Sequence, residues 1–369
     1  MMARGKRDTD AVWALGMMSG TSLDGIDAAL LLTDGEHVLD RGRWHIAPYE
    51  TEMRNALRRL VDGAQTGIDE VERALTEAHA AVAQVLLDDA GLGSEVIRVV
   101  GFHGHTIWHD PLNGITRQIG DGALLARLLA IDVVNDFRSA DMAAGGQGAP
   151  LAPLYHRALA RSAGTAAAPP VAFLNLGGVA NITWVGRDSN LAAFDTGPGC
   201  AMIDDWLLAR TGAAFDEGGA LAAAGRKDAA VLAELMRNPY FSLAPPKSLD
   251  RNEFDGAPLE KLSDADGAAT LVAFTAQTVA QGLRVCPEPA RRLFVTGGGR
   301  HNRTLMAALV EFTGIPVEPV ELLGWRGDAL EAEAFAYLAI RSLNGMALSV
   351  PETTGIDRPR TGGVLHRAV

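Results

Sequence analysis

Gly16-Met-Met-Ser-Gly-Thr-Ser-Leu-Asp-Gly-Ile-Asp27 lies where an apolar run at 12–18 gives way to a second at 28–33. Two apolar runs joined by so short a polar stretch read as a hairpin. Gly20 and Gly25 let the backbone turn sharply and come close to an anion. Ser19, Thr21 and Ser22 supply hydroxyl donors, and successive N–H groups in such a turn form an anion-binding concavity. Asp24 could hold Mg²⁺ directly or through water, since that ion commonly takes one or two carboxylates together with phosphate oxygens. The candidate phosphate grip is therefore Gly20, Thr21, Ser22, Leu23, Asp24, Gly25, Ile26 and Asp27. A plain hairpin, in which Ser, Asp and Gly serve only the turn, reads equally well from this stretch alone.

Outward from it, short apolar runs alternate with helical patterns, the mark of an α/β chain. Runs at 96–102, 133–136, 171–176, 191–195 and 293–296 read as further strands, several apolar on successive residues as when both sheet faces are covered. Ile68, Val71, Leu75, Ala78, Val82 and Val85 follow helical spacing and predict one amphipathic helix over 68–90. Val272, Ala276, Val279 and Leu283 mark another helix, and Leu330, Ala334, Tyr337 and Leu338 a third. A second Gly-rich hairpin, Leu174-Asn-Leu-Gly-Gly-Val-Ala-Asn-Ile-Thr183, offers Gly177, Gly178 and Asn181, or else is only a glycine bulge. A third segment, Phe294-Val-Thr-Gly-Gly-Gly-Arg-His-Asn302, carries Gly297, Gly298 and Gly299 with Asn302 after them. Three glycines leave no side chain in the way of a flat adenine or a ribose. Neither a G-x-x-x-x-G-K-[ST] loop nor a G-x-G-x-x-G turn occurs, which excludes a P-loop NTPase and a dinucleotide-binding Rossmann fingerprint. The order hairpin, hairpin, strand-GGG-helix matches the two phosphate motifs and the adenosine motif of actin-like ATPases. It predicts a two-lobed actin/hexokinase-like (ribonuclease-H-like) α/β fold with its active site in the interlobe cleft. The Gly- and Pro-rich stretch 143–153 suggests residues 1–142 for the first lobe and 143–369 for the second.

The 369 residues carry 33 basic and 45 acidic side chains, a net charge of −12, which speaks against a broad nucleic-acid-binding surface. Cys200 and Cys286 are the two cysteines, without C-x-x-C spacing, as expected of a reduced compartment. Arg4, Lys6 and Arg7 before the first apolar run loosely imitate a signal peptide, but Asp8 and Asp10 interrupt the approach. No stretch approaches the roughly 20 apolar residues of a membrane span. The expectation is a cytoplasmic protein with no membrane or nucleic-acid partner, and an assembly state open between monomer and homodimer.

SGTSLDGID, GFHGHTIWH, QIGDG, DFRSADMAAGGQGAPL, LNLGGVANIT, FDTGPG, PPKSLDRNEF, TGGGRHN and GDALEAEAFA occur in that order from Gly16 to about Ala336. Together they resemble the motif set of the anhydro-N-acetylmuramic acid kinase family. That resemblance implies phosphorylation of 1,6-anhydro-N-acetylmuramic acid, a small amino-sugar substrate, by ATP with Mg²⁺. Water opens the anhydro ring, and the 6-phosphate sugar and ADP are released. A base must then activate water, and Asp195 at the end of the run 191–194 and before Thr196-Gly-Pro-Gly199 matches the family's catalytic aspartate; its bland alternative is a cap on a helix starting near Ala201. Where the family more often has Asn, this chain has Cys200.

Arg138 in DFRSAD suits the substrate's lactyl carboxylate, because a guanidinium grips a carboxylate with two prongs; its alternative is an ion pair with Asp136 or Asp141. Glu331 corresponds to a family residue near the sugar, while Asp328 and Glu331 also have capping-box spacing. His103, Gly104 and Thr106 fall in the segment that lines the family's sugar pocket, often with Gln where His105 stands. His103 and His105 as an H-x-H zinc pair is the rival reading. Asp121 is either a sugar-facing residue or a helix N-cap. A nucleotide-switch ATPase would share the glycine motifs but has no use for the polar loops around His103, Arg138 and Gln147. A metal-dependent relative acting on tRNA or peptides would need its histidine pair on a helix.

Overall fold

The computed structural model describes residues 11–20, 23–249 and 253–368, the side chain of Leu112 excepted. Its strands are β1 Val12–Ser19, β2 Gly25–Thr33, β3 Val38–Pro48, β4 Ile97–Asp110, β5 Ile115–Ile119, β6 Val133–Asn135, β7 Val171–Leu176, β8 Val179–Val185, β9 Leu191–Pro198, β10 Leu293–Thr296, β11 Val317–Pro319 and β12 Val364–His366. The chain divides into two compact units, Met1–Ser162 with Ala329–Val369, and Ala163–Asp328. The division expected at 142/143 is therefore displaced. The Gly-rich stretch stays with the first unit because Asp141 Oδ2 accepts the N–H of Gly148 and Thr354 O accepts that of Gln147. The chain also returns to the first unit at Ala329, which no local feature of the sequence announces.

In the first unit the strands run β3-β2-β1-β4-β6-β12, with β5 paired to β4. β1, β2 and β3 form an antiparallel meander, and β4 and β6 then add in parallel. The second unit repeats this scheme as β9-β8-β7-β10-β11, an antiparallel meander followed by two parallel strands. Parallel addition requires a crossover connection, supplied in the second unit by the helix Asp264–Arg284. This duplicated five-strand scheme is the ribonuclease-H-like α/β arrangement read from the two Gly-rich hairpins.

β7 and β10 begin and end where their apolar runs do, because strands covered on both faces leave no polar face to blur the boundary. The helix Ile68–Ala90 also has the expected bounds and ends on Gly91 at φ +64°, the left-handed cap glycine favours. Its buried stripe, however, runs through Leu75, Thr76, His79, Val82, Ala83, Leu86 and Leu87, and Val85 faces solvent. β9 extends through Asp195 to Pro198, so Asp195 lies within an edge strand rather than at its end. β3 escapes a sequence reading because it is the other sheet's edge, mostly exposed and interrupted by Asp40, Arg41, Gly42 and Arg43. No helix among the described residues is long and apolar enough to cross a membrane.

The helix Leu330–Leu343 lies on β1, β2 and β4 at backbone contact. A Cβ on Gly16 would overlap the carbonyl oxygen of Ala332, and one on Gly101 that of Phe335. Gly16→Ala should therefore lower the stability of the nucleotide-free protein by about 1–3 kcal/mol, the usual cost of overpacking. Urea unfolding without ligand reads this directly. An unchanged midpoint would mean that the glycine serves something other than the helix contact.

Candidate active site

The β1–β2 connection is a turn in which Leu23 N–H donates to Gly20 O at 3.1 Å. Thr21 and Ser22 lie outside the described residues. The left-handed position is Leu23, at φ +59°, and not Gly25. Gly25 instead serves the sheet: it starts β2, and a Cβ there would overlap the carbonyl oxygen of Ala47 on β3. Arg54 Nε donates to Leu23 O at 3.0 Å and Tyr49 N–H to Asp24 O at 3.0 Å, which fix the turn from the far side. Asp24 is exposed, and its Oδ1 accepts the N–H of Gly25 at 3.0 Å. Ile26 is buried in the core and Asp27 is half-buried, so among the described residues of the turn the exposed carboxylate is Asp24. Below it, Ser19 Oγ lies 2.5 Å from Tyr49 OH and 2.8 Å from His105 Nδ1, all three side chains being buried.

His103 and Arg138 form one device. The carbonyl of Gly104 can only accept, so His103 Nδ1 carries the hydrogen that reaches it at 2.9 Å. Nε2 is then an acceptor, and it takes Arg138 Nε at 3.1 Å and Nη2 at 2.9 Å. Arg138 Nη1 donates to Gly148 O at 2.7 Å. The imidazole is held well below its ordinary pKa, first by burial and then by the Arg138 charge, so it stays neutral. The lone pair a zinc ion would use on His103 is occupied by Arg138. Among the described residues no group of three or more His, Cys, Asp and Glu side chains is placed to hold a metal.

The alternative ion pairs of Arg138, with Asp136 or Asp141, are absent from its hydrogen bonds. Asp141 accepts from Gly148 N–H and Thr354 Oγ1, and Asp136 from Ser139 N–H. Three of the five guanidinium hydrogens are thus engaged by neutral acceptors, and one on each terminal nitrogen remains for a ligand. Burial lowers the Arg138 pKa to about 10, with the Glu331 and Asp141 charges opposing the fall. Glu331 is raised above the usual carboxyl range by desolvation, with Arg138 opposing and Asp24 reinforcing the rise, although its side chain reaches solvent. The capping box fails: Ala329 caps the helix without a side-chain bond, and Asp328 is paired elsewhere. Thr106 Oγ1 accepts from Gln118 Nε2 at 3.3 Å, and Gly104 adopts φ +69° against the carbonyl of Ile119. Asp121 is a helix N-cap, accepting the N–H of Leu124 at 2.9 Å.

In the second unit the β7–β8 turn presents Gly177 and an exposed Gly178, neither crowded at its Cβ position. Their carbonyls accept the N–H groups of Gly199, Cys200 and Ala201, so the turn holds the entry to the helix Ala201–Thr211. The Cys200 thiol is pushed up to about 12, mainly by burial, and is no nucleophile. The three glycines do different work. Gly297, at φ +78°, lies against Asn175 and Leu176 O; Gly299 lies against Leu176 and Cys200 Sγ; Gly298 alone is exposed to open space. Asn302 caps the helix Arg303–Thr313 through the N–H of Leu305 at 2.9 Å, and Asn181 pairs with Asp195 across β8 and β9.

A residue the motif reading passed over, Arg300, pins this loop. It donates to Gly297 O at 2.9 Å, to Glu321 Oε1 at 2.9 Å, and through both terminal nitrogens to Asp328 at 2.8 and 2.7 Å. A buried arginine two residues from open glycine backbone is the signal that could have marked it.

Asp195 stands in a cage from the segment 240–249, which enters the PPKSLDRNEF motif but holds no site residue expected from the sequence. Its carboxylate Oδ2 accepts the N–H of Leu249 at 2.8 Å, and its own N–H donates to Lys247 O at 3.0 Å. Tyr240 OH donates to Asp195 O at 2.6 Å. Burial raises the Asp195 pKa to about 7, against the Leu249 hydrogen bond and the Lys247 charge, both of which favour the anion. The side chain does not cap the helix Ala201–Thr211, whose N-cap is Cys200. A half-buried carboxyl that titrates at neutrality is equipped to take a proton from water.

The chain matches the family model described as anhydro-N-acetylmuramic acid kinase over residues 12–368. A relative named anhydro-N-acetylmuramic acid kinase from Rhizorhabdus wittichii is 54% identical over 363 residues, covering 96% of this chain and 98% of its own. Relatives of the same name from Paramagnetospirillum magneticum and Rhodospirillum rubrum are 54% and 52% identical, covering 96% and 97% of this chain and 99% and 95% of their own.

Substitution of the glycines by alanine separates their roles. Gly298→Ala should leave stability within about 0.5 kcal/mol, as at an uncrowded surface position. Gly297→Ala should cost about 1–3 kcal/mol for a side chain held at positive φ. Chemical denaturation ranks them, and equal losses at both would contradict the geometry.

Proposed function

The chain belongs to the anhydro-N-acetylmuramic acid kinase family, and we propose that it uses ATP to phosphorylate 1,6-anhydro-N-acetylmuramic acid while water opens the anhydro ring. The observation that carries this reading is Asp195, a carboxyl titrating at about 7 inside a hydrogen-bonded cage. Asp195 takes a proton from water as the oxygen attacks the anomeric carbon. The bond from that carbon to O6 breaks, and O6 accepts the γ-phosphoryl group of ATP. The products are N-acetylmuramic acid 6-phosphate and ADP, which suits a role in the recycling of cell-wall sugars in the cytoplasm.

Arg138 receives the lactyl carboxylate on its two remaining N–H groups, with His103 and Gly148 O holding the guanidinium flat. Gly104, Thr106 and Glu331 contact the sugar. The turn from Gly20 to Asp27 and the turn at Gly177 and Gly178 receive the phosphates, with Asn181 beside the second. The open face of Gly298, between Gly297 and Gly299 and ahead of Asn302, receives adenosine. One exposed carboxylate beside phosphate oxygens suits Mg²⁺, which keeps several of its waters, so Asp24 would hold it. When bound, that ion offsets charge on the transferring phosphoryl group.

Asp195→Asn keeps the shape of the side chain but removes the base. Turnover should fall by about 10²–10⁴-fold with substrate affinity far less changed. In wild type, kcat/KM should rise with pH through about 7 as the base ionises. Water labelled with ¹⁸O should place its label at the anomeric hydroxyl and leave the phosphate unlabelled. Label in the phosphate would mean that the protein hydrolyses ATP, and the kinase reading would fail. Asp24→Ala should abolish turnover with the fold intact, and ADP release should require the anhydro sugar.

A further inference from the structure

Three hydrogen bonds around Asp195 close on themselves. Tyr240 OH donates to Asp195 O at 2.6 Å, Lys247 Nζ to Tyr240 O at 3.0 Å, and Asp195 N–H to Lys247 O at 3.0 Å. The ring joins an edge strand to a segment some 45 to 54 residues away in sequence, and Leu249 N–H then reaches the carboxylate itself. A carboxylate on an edge strand has no neighbouring strand on its outer side to hold it, and this segment takes that place. The Lys247 ammonium also sits 4.3 Å from the centre of the Tyr240 ring, a position that favours its charged form.

We infer that Lys247 is a positioning residue for the catalytic carboxylate: the hydrogen-bonded ring fixes its ammonium over the Tyr240 ring, whose hydroxyl binds Asp195, and from there its charge favours the ionised base. The inference rests on Asp195 being the base, and goes beyond it by naming what keeps that base ionised. Among the described residues, few ionisable groups bear on Asp195. Lys247 is the cation; Tyr240 is raised by burial and by the nearby anions Asp195 and Glu253, so it remains a neutral donor; Asn181, opposite on β8, carries no charge. Asp195 and Lys247 favour each other's charged forms, and burial opposes both.

Without the cation the carboxyl holds its proton to higher pH, so the acidic limb of kcat/KM must move upward. Lys247→Gln keeps a donor toward Tyr240 O and removes the charge; Lys247→Met removes both; Lys247→Arg keeps the charge. With Mg-ATP saturating, the limb should rise by about one pH unit in the Gln and Met variants, the low end of what a nearby opposite charge does. Activity at pH 7 should then fall by about fivefold and converge on wild type at high pH. The Arg variant should keep the wild-type limb. If the limb stays in place in Lys247→Gln, or activity falls equally at all pH values, the cation does not set the base and the inference is wrong. Should the Met variant fail to fold, the Gln and Arg pair carries the same test. Failure of the base assignment is seen separately, as retained activity in Asp195→Asn.

Discussion

A helix can rest on a sheet at backbone distance only where the sheet presents no side chain. In the first unit Gly16 and Gly101, on the neighbouring parallel strands β1 and β4, provide that floor for the helix Leu330–Leu343. Gly16 and Gly101 are directly paired in register, so the gap is one continuous slot rather than two dimples. The slot seats the helix, and its first turn carries Glu331 within electrostatic range of Arg138 and Asp24. The chain's C-terminal return to the first unit therefore does more than complete a core. It delivers a carboxylate to a group of side chains otherwise built from residues 19–148.

The second unit solves a similar problem with a different residue. Gly297 and Gly299 let the loop after β10 lie against Asn175, Leu176 and Cys200, and Arg300 ties its carbonyl to Glu321 and Asp328. Asp328 is the last residue of this unit, so the bidentate pair also anchors the point where the chain leaves it. The open backbone at Gly298 is held rigidly by packing on either side. A binding surface made of bare backbone needs such support, because glycine alone supplies freedom rather than shape.

What the sequence makes legible is local. Continuous apolar runs give β7 and β10 their ends, the 3.6-residue period gives the helix 68–90, and Asp195 stands out because Thr196-Gly-Pro-Gly follows it. What it hides is distant. The Tyr240, Lys247 and Leu249 bonds to Asp195 span 45 to 54 positions, and no periodicity encodes them. Turn chemistry alone also leaves out that the absent side chain of Gly25 admits the carbonyl of Ala47, and that a leucine takes the left-handed position. A capping box at Asp328 and Glu331 is plausible in one dimension and fails in three because Arg300 claims the aspartate.

Two arginines, one in each unit, show how a chain of net charge −12 can offer a site to anionic ligands. Arg300 is the better bonded, with two carboxylates in contact, and its charge is cancelled where it stands. Arg138 donates its direct hydrogen bonds to neutral acceptors only, the imidazole of His103 and the carbonyl of Gly148. A carboxylate in either place would fix the guanidinium as firmly but spend its charge. An imidazole does so only while unprotonated, and burial in the first unit's core guarantees that state by penalising the imidazolium. Desolvation, which elsewhere merely costs stability, here keeps His103 an acceptor and so keeps Arg138 positive toward solvent. The same penalty raises Asp195 toward neutrality in the other unit. In each case the protein sets the charge of a functional group by choosing how much water surrounds its neighbours, with little help from the overall electrostatic balance of the chain.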